Sequence, residues 1–348
     1  MNARRWLILL ALAALPAWGQ EEGFAGLGSD VEGFALPDPA RALVFPRDHG
    51  AHQDFHIEWW YLTASLRGAD GRDYGAQWTL FRSALSPEET GAGWSAPQVW
   101  MAHAAVTTPE SHHVAERFAR GGIGQAGVTP EPFAAWIDDW SMRATGGAEG
   151  LDRLEIAARG GDFSYALTAK AEGPLVLHGQ NGYSVKGQGG QASHYYSQPF
   201  YRVSGRLSLP EGAVDVTGHA WLDREWSSQP LDRSQSGWDW FAMHLDDGRK
   251  LMVAQVRGNR PFLFGSLIGA DGQVQTLDGG DIALRPGRGT PPVSWRVELP
   301  GEELALAVEA VNPASRMTTS VPYWEGPVRV TGSVTGRGYL EMTGYPLD

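Results

Sequence analysis

The segment Gly218–Trp226 combines acid–base side chains with aromatic ones more densely than the rest of the chain. In a β-strand, alternate side chains share a face. One face of this segment would carry His219, Trp221, Asp223 and Glu225. An imidazole and two carboxyls that converge on one enclosed space could transfer protons to a bound molecule. We therefore take His219, Asp223 and Glu225 as the candidate catalytic residues.

The opposite face of the same segment gives a structural alternative. It would carry Ala220, Leu222, Arg224 and Trp226. Arg224 and the neighbouring carboxylates could form an ion-pair network that closes a barrel end or a domain seam, since such networks are common in β-proteins. An acid role is also demanding, because a carboxyl with a pKa of about 4 is protonated in only about one molecule per thousand at pH 7. Raising that pKa by three units costs about 4 kcal/mol, so catalysis would require special burial.

A second polar cluster lies in residues 48–58, which contain three histidines and three carboxylates. Imidazole and carboxylate are ligands for Zn or Fe, but the spacing here matches no metal signature. We predict no metal site. We expect these residues to close the mouth of a barrel, or His49 and His52 to face a ligand.

Tryptophan is abundant, with 15 residues in 348. Several of these rings could line an apolar ligand pocket, although ordinary core packing would also use them. The candidate ligand-binding residues are Trp59, Trp60, Tyr61, Trp221, Trp226, Trp238 and Trp240, with Glu58, His52 and Arg224.

Several function classes are disfavoured by motif and charge. The chain has no cysteine, no Gly-x-Ser-x-Gly elbow, no phosphate loop and no dinucleotide fingerprint, so we predict no cofactor. The formal charge of −12 argues against nucleic acid and anionic lipid surfaces as partners.

The first 19 residues are typical of an export signal. Arg4 and Arg5 precede an apolar run that is too short to span a bilayer, and Ala17-Trp18-Gly19 fits a cleavage site. Removal of this segment would leave 40 acidic residues against 26 Lys and Arg, a formal charge of −14. No second long apolar run follows, so we expect no stable membrane span after cleavage and a periplasmic or secreted protein.

The elements that would position these residues are β-strands, because no segment has sustained helical periodicity. Two hairpins resemble each other, with turns at Asp70-Gly71-Arg72 and at Asp247-Gly248-Arg249 and aromatic strands before them. The repetition predicts two similar β-domains in tandem. We place them at 20–204 and 205–348, after a signal peptide at 1–19.

At these motifs the chain resembles the lipocalin-like AttH family, which is related to carotenoid 1,2-hydratase. The resemblance extends from about Phe45 to the C-terminus. It is carried by residues 48–52 and 58–61, 193–199, 221–227, 237–241 and 338–345. It implies an all-β fold of two tandem lipocalin-like (calycin) barrels, export, chemistry without a redox cofactor, and an envelope transport system as a partner.

The resemblance carries Asp223 and Trp226 over from the hydratase branch, which has His-Asn-Trp after the Asp. Here Arg224 stands in place of that His, and an Arg cannot shuttle protons near neutrality. The resemblance therefore supports the fold of this chain more strongly than it supports carotenoid hydration as its activity.

Three hypotheses follow from the sequence. The first is an exported protein that binds a hydrophobic lipid- or isoprenoid-like small molecule. The second is a cofactor-independent acid–base hydratase or hydrolase, in which Asp223 or Glu225 is the acid, His219 is its partner and the ring of Trp226 stabilises a developing cation. The third is a scaffold with a filled core and no cavity.

Overall fold

The structure is a computed structural model that describes residues 32–88, 91–146, 150–229, 231 and 234–346. The expected signal peptide lies outside these residues. Within them the fold is all-β, and the three helices are short 3-10 turns at Arg47–His49, Gly93–Ser95 and Pro300–Glu302. No helix in the described ranges is long and apolar enough to cross a membrane.

The first sheet is built from thirteen strands among the described residues. They are β1 (Ile57–Gly68), β2 (Asp73–Ala84), β3 (Gln98–Thr107), β4 (His112–Arg120), β5 (Ala126–Pro130), β6 (Phe133–Ile137), β7 (Trp140–Ala144), β8 (Arg153–Arg159), β9 (Ser164–Ala171), β10 (Val176–Leu177), β11 (Tyr183–Val185), β12 (Ala192–Leu209) and β13 (Gly212–Ser227). The main path of the sheet runs β4-β3-β2-β1-β13-β12-β9-β8-β7-β6-β5, and β10 and β11 both pair with β12.

The second sheet is built from ten strands of the described chain. They are β14 (Gln235–Leu245), β15 (Lys250–Gly258), β16 (Phe262–Ile268), β17 (Val274–Leu277), β18 (Ala283–Pro286), β19 (Ser294–Leu299), β20 (Leu304–Ala310), β21 (Arg316–Met317), β22 (Tyr323–Gly332) and β23 (Gly336–Met342). Its path runs β17-β16-β15-β14-β23-β22-β20-β19-β18, with β21 paired to β22. Each sheet curls into a barrel or half-barrel, which confirms the predicted tandem lipocalin-like fold.

The two similar hairpins occupy equivalent places in the two sheets. The hairpin β1–β2 lies between β13 and β3, and the hairpin β14–β15 lies between β23 and β16. Both turns place an Asp-Gly pair at the tip, where Gly71 and Gly248 have φ values of +80° and +95°. Glycine adopts these left-handed values without a steric penalty. The repeated sequence thus marks the first two strands of each barrel.

Strand alternation assigns each aromatic side chain to a barrel interior or to an outer face. In β1, Trp60 and Leu62 pack in the core of the first barrel, whereas Tyr61 packs in a separate apolar layer. In β14, Phe241 packs inside the second barrel and Trp240 joins the same layer as Tyr61. This layer is therefore formed by the outer faces of both barrels, which pack against each other.

The break between the two sheets differs from the predicted domain boundary. Ser204 lies within β12, and β13 pairs with β1 from Val216 to Ser227. The first sheet therefore extends to Ser227, and the second begins at Gln235. The reason is that β13 returns across the first barrel to pair with β1, a long-range pairing that local sequence does not show.

Candidate functional site

A cavity of about 180 Å³ lies between the two barrels. The first barrel contributes side chains from β1, β2, β3, β12 and β13, and the second contributes side chains from β14, β15, β16, β22 and β23. Most of its surface is apolar or aromatic: Trp59, Tyr61, Phe81, Met101, Tyr195, Trp238, Trp240, Ala254, Val256, Phe264 and Tyr323. The cavity is a concave apolar site with a few carboxyls, which is the usual form of a small-molecule site.

The strand Gly212–Ser227 directs its two candidate acids into this cavity. Asp223 lies opposite Tyr61 in β1, and Glu225 lies opposite Trp59. All four residues line the cavity. Their spacing by two along each strand places them on one face, as the alternation predicts.

Asp223 is held by three hydrogen bonds. Its Oδ1 accepts from the Ser197 hydroxyl and, at 2.6 Å, from the Trp221 indole Nε1. Its Oδ2 accepts from the Tyr195 hydroxyl at 2.9 Å. Burial raises the pKa of Asp223 to about 7 although these three bonds lower it. The carboxyl is therefore poised to gain or lose a proton near neutrality.

A second carboxyl with a shifted pKa enters the cavity from the other barrel. Burial raises the pKa of Glu341 to about 7, against the bond that it accepts from the Trp238 indole. Behind it, burial and the nearby Glu341 raise the pKa of Glu325 well above its ordinary value. Glu325 accepts a 2.6 Å bond from the Tyr61 hydroxyl of the first barrel. Glu341 of the second barrel thus lies close enough to Glu225 of the first barrel for that carboxyl to contribute to its raised pKa.

The structure places His219 outside the cavity. Four residues along a strand correspond to about 13 Å, so the imidazole is well separated from Asp223. It lies half-buried near the ring of His244, at 5.2 Å between centroids, and its Nε2 contacts Arg202 at 3.3 Å. The expected convergence of His219 with the two carboxyls is therefore absent from this geometry, because the strand carries it beyond Trp221.

A different imidazole takes the place expected for His219. His178 is fully buried, and its Nε2 lies 2.6 Å from the hydroxyl of Ser197, which in turn donates to Asp223. Its Nδ1 lies 2.8 Å from the Ser266 hydroxyl. Burial lowers the pKa of His178 well below its ordinary value, so the ring is neutral. His178 and Ser197 fix the orientation of the Asp223 carboxyl.

The opposite face of Gly212–Ser227 lies inside the first barrel. There the guanidinium of Arg224 contacts Glu58 and the carbonyl of Gly50, and stacks over Trp60 at 3.8 Å. Trp226 stacks on the ring of His52 at 3.9 Å. Four of the predicted ligand-binding residues are therefore absent from the cavity lining: Trp60, His52, Arg224 and Trp226. Glu58 belongs to the lining, but its carboxylate is bound by Arg82, Arg224 and His52.

The network around Arg224 also includes the polar cluster of residues 48–58. Glu58 is bound by both Arg82 and Arg224, and His52 bridges Glu58 and Asp48 at 3.2 Å on each side. Within the described residues, no group of three or more His, Cys, Asp or Glu is arranged to hold a metal ion. His49 bonds to the Tyr196 hydroxyl at 2.6 Å inside the same barrel. Through these contacts, the polar cluster is part of an ion-pair and hydrogen-bond network within the first barrel.

Of the other predicted ligand-binding residues, four line the cavity and one supports it. Trp59, Tyr61, Trp238 and Trp240 belong to the lining. Trp221 is fully buried beside it and donates to Asp223.

Several cavity residues were not predicted from the sequence, among them Tyr195, Lys186 and Glu341. The alternation Ser193–Tyr195–Ser197 in β12 carries the same signal as that in β13 and could have identified one face. Lys186 follows a short strand in a glycine-rich segment, and Glu341 belongs to the second barrel. No local pattern brings either of them to Asp223.

The raised pKa of Asp223 predicts a pH-dependent stability. Because the folded chain binds this proton more tightly than the unfolded chain, the contribution to stability is complete below pH ~4 and is lost as the pH rises through about 7. Between pH 5 and pH 8, wild-type protein should lose roughly 2–3 kcal/mol of unfolding free energy relative to Asp223→Asn. Urea denaturation of both proteins at the two pH values measures this difference.

The exposed Asp215, whose side chain is 70% accessible, provides the control. Asp215→Asn should show the same pH dependence as the wild type. An Asp223→Asn protein whose stability difference from the wild type is equal at both pH values would show that Asp223 is an ordinary ionised carboxylate.

Comparison with known proteins places the chain among related folds. A family model described as AttH-like matches residues 36–345. A crystal structure of a candidate AttH protein from Nitrosomonas europaea is 33% identical and has a TM-score of 0.80; the match covers 90% of this chain and all of that one. The comparison with curated proteins gave no significant match.

Two more distant structures share the fold. Kievitone hydratase from Nectria haematococca is 14% identical with a TM-score of 0.68, and the match covers 90% of this chain and 98% of that one. The protein CghA is 12% identical with a TM-score of 0.52, and the match covers 91% and 97% of the two chains.

Proposed function

Since the chain belongs to the AttH-like family, we propose that it binds a hydrophobic small molecule between its two barrels and transfers a proton to it without a cofactor. The reaction that the cavity favours is the addition or removal of water at a carbon–carbon double bond. The name of the similarly folded kievitone hydratase says that it is a hydratase. The residues of this chain supply independent support.

The observation that carries the proposal is the burial of Asp223 in the cavity wall, where the residue is only 3% accessible. A carboxyl with a pKa of about 7 is protonated in about half of the molecules at neutral pH. Burial in the folded protein raises the pKa to this value, so about half of the molecules hold the proton when a ligand binds. Catalytic acids work best when their pKa lies near the operating pH.

The hydrogen bonds of Asp223 indicate which oxygen carries the proton. Its Oδ1 already accepts from two donors, Ser197 and Trp221, which fills both of its lone-pair positions. Its Oδ2 accepts only from Tyr195 among the described residues. We therefore assign the transferable proton to Oδ2.

The walls and the second acid complete a hydration cycle. Protonation of a double bond by Asp223 leaves a cationic carbon, which the faces of Trp59 and Trp240 can stabilise. Water then adds to that carbon and releases its proton to the Glu341 carboxylate. Glu341 gives this proton to solvent, and Asp223 regains one proton from solvent, so both carboxyls return to their starting states. The sum of these steps is the addition of one water molecule.

We place this activity outside the cytoplasm. The support is the export-like composition of residues 1–19. An envelope transport system that moves apolar molecules would then be a natural partner, and this remains a proposal from the family resemblance.

The test is incubation of the purified protein with a panel of apolar alkenes in D₂O, followed by mass spectrometry. A hydration product should carry one deuterium on carbon. The matched control is Ala254→Trp, which places an indole in the cavity from β15 and should abolish both ligand binding and product. Equal product formation by Ala254→Trp would show that the reaction does not take place in this cavity. Tight ligand binding by the wild type without any product would show that the protein is a carrier rather than a hydratase.

A further inference from the structure

One end of the cavity carries polar groups that the proposed proton transfer does not use. Lys186, Ser193 and Glu225 all line it there. Ser193 lies opposite Ser184 in the pairing of β11 with β12, and Lys186 follows Ser184 by two positions. Lys186 lies one residue beyond the end of β11, and both Lys186 and Ser193 line the cavity.

Lys186 is held in place by an ion pair and by aromatic rings. Its Nζ lies 3.1 Å from Oε1 of Glu225, and at 4.3 and 4.4 Å from the ring centres of Tyr195 and Phe264. An ammonium has three N–H donors, so one ion pair leaves donors for a ligand. Because Glu225 already balances the charge of Lys186, an anionic ligand would face uncompensated repulsion from the cavity carboxyls. A neutral acceptor fits this end better.

Ser193 provides an independent indication of a ligand. The residue is only 2% accessible, and its hydroxyl has no hydrogen-bond partner within the described structure. A buried polar group without a partner is costly. A ligand oxygen in the cavity would accept the hydroxyl proton and remove that cost.

We infer that Lys186 and Ser193 bind a neutral carbonyl oxygen of the ligand. Glu225 marks this polar end and Asp223 marks the reacting end, two residues away on the same strand, which corresponds to about 7 Å. The substrate class is therefore an apolar ketone, aldehyde or ester whose carbonyl oxygen lies roughly that far from the reacting double bond. This inference rests on the proposed function and specifies its substrate.

Two probes that differ by a carbonyl in place of a methylene test the inference, 2-acetylnaphthalene and 2-ethylnaphthalene, with dissociation constants measured by quenching of tryptophan fluorescence. The wild-type protein should bind the acetyl compound about tenfold more tightly, although the ethyl compound is the more apolar. Lys186→Met should remove this preference and leave binding of the ethyl compound intact. Ser193→Ala should reduce the preference about fivefold.

The control is Lys250→Met. Lys250 lies over the ring of Phe200 outside the cavity lining, and its replacement should leave both affinities unchanged. Binding of both probes without an acetyl preference, or a preference that survives in both cavity variants, would overturn the carbonyl site while leaving the cavity itself intact. Failure of the wild type to bind either probe would instead overturn the proposed function, and the carbonyl site with it.

Discussion

Glu58→Gln is expected to destabilise the folded protein by about 3–5 kcal/mol, because it leaves two buried guanidiniums without a counter-charge. Glu58 is completely buried and forms ion pairs with Arg82 and Arg224, which are both about 1% accessible. Burial alone would raise the pKa of Glu58, but the two guanidiniums hold it well below its usual range. The glutamine keeps the shape of the side chain and removes only its charge.

The measurement is the free energy of unfolding from urea denaturation at pH 7. Asp215→Asn is the matched control, since it breaks the Arg206–Asp215 pair, which spans 3.0 Å but is more than half exposed on both sides. Exposed pairs contribute about 0–1 kcal/mol. A loss for Glu58→Gln no greater than for Asp215→Asn would show that the interior of the first barrel is hydrated around these charges.

This prediction separates the two roles that one strand performs. Arg224 and Trp226 serve the interior of the first barrel, and Asp223 and Glu225 serve the cavity. Both the ion-pair network and the acidic site that the sequence offered as alternatives are therefore present, on opposite faces. Strand periodicity alone was sufficient to assign these four side chains to their faces.

The position of the cavity could not be predicted in the same way. The sequence indicates two barrels, and a lipocalin-like barrel is expected to bind ligands inside. Here the first interior is filled by large rings such as Trp60, Trp78 and Trp140. The cavity instead forms where Tyr61 of one barrel meets Trp240 of the other, and their contact depends on how two folded domains pack.

The raised pKa of Asp223 could not be predicted from the sequence either. The pKa of Asp223 depends on the burial of its carboxyl under the second barrel. Glu341, which shares this environment, lies 118 positions further along the chain. Local sequence can show that a carboxyl is present on a strand, but its desolvation is a property of the assembled tertiary structure.

Asp223→Asn is expected to lower the rate of proton transfer to a bound alkene by roughly 10²–10⁴-fold, the usual contribution of a general acid. The amide retains an oxygen that can accept from Trp221 and Ser197, as Oδ1 of the acid does. It has no transferable proton at neutral pH. Binding of the apolar ligand should therefore change little, while the amount of deuterated product formed per unit time falls by the same factor as the rate.

Glu225→Gln provides the comparison on the same strand and the same cavity wall. It also removes a carboxyl, but this carboxyl is engaged with Lys186 at 3.1 Å, so it should weaken binding more than it slows proton transfer. The two variants are distinguished by the ratio of their effects on the single-turnover rate and on the dissociation constant. If Asp223→Asn instead lost binding and unfolding free energy together while the rate on the remaining bound ligand was unchanged, Asp223 would be a structural residue of the interface. A loss confined to the single-turnover rate is the sign of an interaction made only in the transition state, as the transfer of the Asp223 proton would be.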